Sequence, residues 1–167
     1  VFVPHPEFSR FTMFGDGPPP FTIVEFRARA PEPLRRMAGD ARRIGIYGGT
    51  FNPIHFAHLA LAEEIRERLD LGRVLFVPSN LPPHKGRHLP SGAERLALVR
   101  LAIRGNPAFA ALDVEVRRGG RSYTVETLRE LRRRLPAGTE LVFLIGMDAF
   151  AEIRSWHEAA LLAAETH

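Results

Sequence analysis

Residues 44–58, Ile-Gly-Ile-Tyr-Gly-Gly-Thr-Phe-Asn-Pro-Ile-His-Phe-Ala-His, constrain the fold more than any other stretch of this chain. The apolar run Ile44 to Tyr47 has the length and β-branched content of a buried strand. Gly48 and Gly49 follow at once, where a backbone without Cβ atoms can turn sharply or approach a ligand. Asn52-Pro53 predicts a turn or helix entry, with an Asx-type cap and a proline that suits a first helical turn. Beyond it, His58, Ala62, Ile65 and Leu69 recur at helical spacing. A strand, a glycine turn and a helix start together make a phosphate site, because free N–H groups and the positive end of the helix dipole point the same way. His55 and His58 stand at that start, spaced to share one helix face. Imidazoles there can donate to phosphate oxygens and stabilise charge that builds up in a transition state.

The remainder of the chain repeats the alternation. Arg73 to Pro78 predicts a second buried strand, followed by a loop to Pro90 that carries Pro82-Pro83-His84-Lys85. Ser91 to Glu94 is a capping box opening a helix to about Arg104, with Leu96, Val99 and Ile103 on one face. Leu112 to Val116 predicts a third strand, Gly119-Gly120 a turn, and Thr124 onward a helix carrying Val125, Leu128, Leu131 and Leu135. Leu141 to Ile145 predicts a fourth strand, and Ser155 to Glu158 a capping box before the last helix. Strands alternating with helices imply an α/β fold, a doubly wound parallel sheet with helices on both faces. Ligands of such sheets bind beyond the carboxyl ends of the strands, near the switch point. Four segments converge there: the glycine turn, the Pro-Pro-His-Lys loop, Ser122-Tyr123-Thr124, and Gly146-Met147-Asp148.

Each offers its own chemistry. Lys85 is a cation on a loop stiffened by two prolines. Ser122 or Thr124 can cap a helix whose free N–H groups receive a carboxylate. Asp148 can accept from ribose hydroxyls, as acids after strands do in dinucleotide folds. Residues 1–41 read differently: six Phe mixed with Pro, and no lasting period. They are expected to be an N-terminal extension: a disordered or irregular segment, an arm that packs on the domain, or, the favoured option, an upstream-start artefact ahead of Met37, with the domain over 42–167.

Composition removes several classes. A chain of 167 residues, 45% hydrophobic and 25% charged, suits one ordinary globular domain. Cysteine is absent, which excludes disulfides, thiol chemistry and cysteine-held metals. A His-x-x-His pair is half a zinc site, but no third ligand stands at a telling spacing. Gly-x-Gly-x-x-Gly is missing, which counts against an oxidoreductase. No apolar run reaches the length of a membrane span and no secretory signal opens the chain, so cytoplasm is the expected compartment. The net charge of +4 comes from scattered side chains, all but one of the 23 cations being Arg. It suits small phosphorylated anions rather than nucleic acid.

Gly-Gly-Thr-Phe-Asn-Pro-Ile-His-Phe-Ala-His-Leu, residues 48–59, resembles the opening signature of the HIGH-motif nucleotidyltransferases, and among them the nicotinate-nucleotide adenylyltransferases. Pro82 to Lys85, Gly120 to Thr127, Phe143 to Asp148 and Trp156 keep that family's order and spacing over residues 43–163. The family has Asp at position 52 and Gly at position 57, where this chain has Asn and Ala. The resemblance implies a Rossmann-like sheet and transfer of the ATP adenylyl group to nicotinate mononucleotide, giving deamido-NAD and pyrophosphate. It implies catalysis by His55, His58 and Lys85, with Mg²⁺ accompanying ATP. Contacts to ATP would come from Gly48, Gly49, Thr50, Phe51, His55, His58, Gly146 and Asp148. The second substrate would be met by Lys85 at its phosphate, Ser122, Tyr123 and Thr124 at the nicotinate carboxylate, and Trp156 on the pyridine ring. Small molecules are then the partners, with neither nucleic acid nor membrane, and self-association is left open. The family continues into another strand and an Ile-Ser-Ser-Thr-x-Ile-Arg-like triphosphate motif. This chain stops at His167, so its domain is expected to lack the C-terminal part. Two alternatives remain: a HIGH-motif enzyme acting on a pantetheine phosphate, flavin or nicotinamide mononucleotide, and a non-catalytic nucleotide-binding fragment.

Overall fold

A computed structural model describes residues 11–12, 21–27, 41–82 and 89–164. Its strands are β1 (Phe11–Thr12), β2 (Phe21–Arg27), β3 (Arg43–Gly49), β4 (Arg73–Pro78), β5 (Phe109–Ala111) and β6 (Glu140–Gly146). They form one sheet in the order β1-β2-β6-β3-β4-β5. The run β6-β3-β4-β5 is parallel throughout. Helices α1 (Phe56–Arg68), α2 (Gly92–Ala102), α3 (Val114–Arg118), α4 (Thr124–Arg134), α5 (Met147–Ala151) and α6 (Ala159–Ala164) connect and flank the strands. The expected α/β class, with helices on both faces, is the observed one.

The two-residue period of the strands sorts the core into two layers. Ile44 and Ile46 of β3, Leu75 and Val77 of β4, and Leu141, Phe143 and Ile145 of β6 face α4, α5 and α6 through Leu128, Leu131, Phe150 and Leu162. Tyr47, Val74, Phe76, Val142 and Leu144 face α1 and α2 through Ala62, Ile65 and Val99. The chain starts the parallel sheet at β3, builds outward to β4 and β5, then returns to β6 on the other side of β3. The switch point therefore lies between β3 and β6, and their carboxyl ends are where a ligand crevice belongs.

Four segments bear on the expectations. The third strand is Phe109–Ala111, not Leu112 to Val116. The Leu112 N–H still reaches the Phe76 carbonyl at 2.8 Å, but Asp113 then caps α3, in which the adjacent Val114 and Glu115 are both buried. Alternation in Leu-Asp-Val-Glu-Val was a misleading signal, since consecutive buried residues fit a helix and not a half-buried strand. Second, within residues 1–41, β2 pairs antiparallel to β6 along all seven residues, from Phe21 opposite Gly146 to Arg27 opposite Glu140. Its Phe-Thr-Ile-Val-Glu-Phe-Arg composition has high strand preference, and β6 offers it an edge of free backbone groups. Third, Gly48 and Gly49 do not turn; they close β3, in register with Val77 and Pro78. The turn comes two residues later, at Phe51 with φ +45. Fourth, the Ser155 hydroxyl donates to the Glu152 carbonyl at 2.7 Å instead of capping a helix, and α6 begins at Ala159.

Candidate active site

A cleft of about 550 Å³ opens at the carboxyl ends of β3 and β6. Gly48, Gly49 and Thr50 form one wall, Ser122, Tyr123 and Thr124 a second, and Gly146 with Trp156 a third. Eight of the residues picked out in the sequence thus meet around one cavity, although they come from four separate segments. Phe143 and Ile145 of β6 supply its apolar floor.

Local structure explains each wall. A Cβ on Gly48 would lie 3.3 Å from the Phe143 ring, so glycine lets the strand end sit against the cleft floor. The second wall is tied to the strand ends by hydrogen bonds: the Asn80 N–H donates to Ser122 Oγ at 2.8 Å, Asn80 Nδ2 donates to the Gly120 carbonyl at 3.0 Å, and the Ser122 N–H donates to the Leu81 carbonyl at 3.0 Å. Ser122 is therefore spent on Asn80, and the N-cap of α4 is Tyr123, with no side-chain hydrogen bond at that cap. The expectation that Ser122 or Thr124 caps the helix is thereby corrected, and the first N–H groups of α4 are left for another acceptor. Trp156 is partly buried, its ring edge-on to Phe143 at 6.4 Å between centroids. Its remaining surface lines the cleft.

The histidines stand apart from this cavity. His55 is the N-cap of α1 and His58 its third residue, so the cap falls three residues beyond the expected Asn52. Asn52-Pro53 forms a cis peptide in the turn before it. The His55 N–H donates to His58 Nδ1 at 3.2 Å, which fixes the His58 proton on Nε2 when the ring is neutral. The two imidazole centroids are 3.8 Å apart. Phe51, only 3% exposed, supports His58 from beneath at 5.3 Å. Burial, and then repulsion from His55, hold the His58 pKa below its ordinary 6.5. A neutral imidazole protonated on Nε2 is a hydrogen-bond donor at neutral pH without being a charge. Lys85 lies outside the described residues, and of Asp148 only the backbone, in α5, is described.

Among the cleft residues that escaped the sequence are Glu115, His157 and Ser79. Glu115 is buried, accepts from Thr127 Oγ1 at 2.6 Å, and has its pKa pushed up by burial. It was hidden inside the misread third strand. His157 stacks on Tyr123 with centroids 4.4 Å apart at the cleft margin. Its only signal was its place beside Trp156. Ser79, at the end of β4, completes the rim. Among the described residues no group of three His, Asp or Glu is arranged to hold a metal ion, and no helix is long and apolar enough to cross a membrane.

This geometry has counterparts. Proteins named probable nicotinate-nucleotide adenylyltransferase are 52% identical over 125 residues in Geotalea uraniireducens, 54% over 121 in Geotalea daltonii and 51% over 122 in Thermomicrobium roseum. Each match covers 72% of this chain and 56% of the relative, so the chain spans about half the length of the curated relatives it matches. The solved Plasmodium falciparum nicotinic acid mononucleotide adenylyltransferase complexed with NaAD shares the fold at a TM-score of 0.57 and 22% identity, over 72% of this chain and 60% of that one. The cytidylyltransferase-like family model matches residues 46–166, from the middle of β3 to the last helix, and with the whole cleft inside that match the chain belongs to the cytidylyltransferase-like family.

Proposed function

We propose that this chain is the nucleotide-binding part of a nicotinate-nucleotide adenylyltransferase, which joins the adenylyl group of ATP to nicotinate mononucleotide. The observation that carries the reading is the single cleft at the switch point, where Gly48-Gly49-Thr50, Ser122-Tyr123-Thr124, Gly146 and Trp156 meet. Its relatives' names point the same way. In this reading the nicotinate carboxylate accepts from the free N–H groups at the start of α4, and the pyridine ring lies on Trp156. ATP lies over the end of β3, against Gly48 to Phe51, with Gly146 and Asp148 on its far side.

An oxygen of the mononucleotide phosphate attacks the α-phosphorus of ATP in line. The new P–O bond forms as the bond to the β-phosphate oxygen breaks, and pyrophosphate leaves with that electron pair. A phosphate monoester is already ionised near pH 7, so no general base is required and catalysis is positioning plus charge stabilisation. His58 donates from Nε2 to the developing charge, His55 and Lys85 assist, and none of the three has to change protonation. Mg²⁺ enters as the counterion of the ATP phosphates, the usual mode for an ion that keeps few protein ligands. Among the described residues no group of three His, Asp or Glu would hold a resident ion. A cytoplasmic site of action is part of this reading.

Titrating the chain with mononucleotides, while following the fluorescence of its only tryptophan, tests the reading. Nicotinate mononucleotide should quench Trp156 saturably, and adding ATP with Mg²⁺ should release pyrophosphate. A response to a pantetheine phosphate or a flavin mononucleotide, with none to nicotinate mononucleotide, overturns it.

A further inference from the structure

Arg95 is a cation only 1% exposed, of a residue type that is almost never fully buried unless paired. It sits on the inward face of α2, one turn before Val99. Its described hydrogen bonds all go to backbone carbonyls: Nε to Pro90 at 3.0 Å, Nη1 to Thr50 at 2.6 Å, and Nη2 to Ser79 at 2.6 Å and Asn80 at 2.7 Å. A guanidinium whose described hydrogen bonds go only to neutral carbonyls is an expensive way to gain stability, since desolvation opposes it and the nearby Glu115 carboxylate offsets only part of that cost. Burial indeed pulls its pKa down. What the fork achieves is geometric. Thr50 belongs to the first wall of the cleft, and Asn80 holds the second wall through Ser122 and Gly120. Pro90 and Ser79-Asn80 bracket, in sequence, the segment that carries Lys85.

We infer that Arg95 is a positioning residue: it sets the separation of the Gly48–Thr50 and Ser122–Thr124 walls without touching a ligand. The part that concerns ligand affinity rests on the proposed function, whereas the part that concerns the walls does not. Arg95→Lys keeps the charge but replaces a planar fork with a point donor that cannot reach four carbonyls at once.

The test pairs amide hydrogen exchange, read residue by residue without ligand, with nicotinate mononucleotide titration well below melting. In Arg95→Lys, exchange at the Asn80 and Ser122 amides should rise at least tenfold while that of Leu131 and Val142 stays unchanged, and the Kd should rise at least tenfold. Ser122→Ala should reproduce part of the Asn80 change, and adding it to Arg95→Lys should give less than the product of the two effects. A purely structural Arg95 predicts a lower Tm with unchanged Kd and unchanged exchange at those two amides, and that result overturns the inference. Should Arg95→Lys not fold, Arg95→Gln, which drops the charge and keeps one N–H pair, decides by the same readouts. If the wild-type chain fails to bind nicotinate mononucleotide, the functional reading falls, and the exchange rates alone decide on Arg95.

Discussion

Replacing Trp156 with alanine separates the two substrates. Burying a large aromatic side chain fully contributes about 1.5–3 kcal/mol, and an aligned aromatic partner about 0.5–1.5 kcal/mol more. Trp156 is already partly covered, with its edge against Phe143 at 6.4 Å, so a ligand covers only the part that faces the cleft. The loss on mutation should therefore lie below the full sum, at about 1–2 kcal/mol, or roughly 5- to 30-fold in Kd. That loss should fall on nicotinate mononucleotide alone, because ATP in this reading lies over β3. Titration calorimetry with each ligand separately provides the assay, at a temperature well below the melting point of the variant. The melting point must be measured, since Trp156 also packs on the β6-facing core. Trp156→Phe, which retains a ring, should recover about half of the lost free energy. An equal loss for both ligands makes Trp156 a structural residue, and an unchanged Kd for nicotinate mononucleotide removes it from the site.

Three further outcomes follow from His58 and Glu115. His58→Ala should lower turnover on the order of a hundredfold or more, with substrate Kd nearly unchanged, as expected of a donor that acts on transition-state charge; a Kd that weakens as much as turnover would assign His58 to ground-state binding. Because the His58 pKa is lowered, its contribution to stability should be present above pH 6.5 and be lost as pH falls through its folded value, so melting of the wild type against His58→Asn should converge in acid. For Glu115 the sign is opposite. Its pKa is raised, so its contribution is fully present below the ordinary 4.5 and is lost as pH rises through the folded value. Glu115→Gln, which keeps an acceptor for Thr127, should therefore melt higher than wild type at neutral pH and match it in acid; a variant that melts lower at both pH values makes the carboxylate an essential acceptor.

The parallel sheet and its ligand-bearing end were legible because their signals are local. Arg-Val-Leu-Phe-Val-Pro is buried on both faces and reads as an apolar run, and the observed β4 has the expected bounds. The Ser91 box is real, with its hydroxyl accepting from the Glu94 N–H at 3.2 Å and its N–H donating to the Glu94 carboxylate at 2.8 Å. The misreadings arose where tertiary context decides. Val114 and Glu115 are drawn inward together by packing, which a period-two pattern cannot anticipate. Ser155 had the right residue at the right spacing, yet its hydroxyl found a nearer acceptor in Glu152. Arg95 was visible only as a charge interrupting the apolar stripe of α2, a signal without meaning until the carbonyls around it are known.

The paired glycines explain how one strand end can serve two chemically different regions. Successive residues of a strand point to opposite faces, so a single glycine would clear only one of them. A Cβ on Gly48 would press on Phe143, on the face that carries the cleft and Trp156. A Cβ on Gly49 would press on the Phe51 ring at 3.2 Å, on the face that carries α1 and the histidines. Phe51 lies beneath His58 without the tight contact that a Cβ at position 49 would make with its ring. The last two residues of β3 are thus bare on both sides, and a phosphate chain crossing the strand end can approach the backbone closely from either one. In the proposed reading the ring binds in the cleft on one face and the imidazoles act on charge on the other, and β3, like β4 and β6, contributes to both layers of the core.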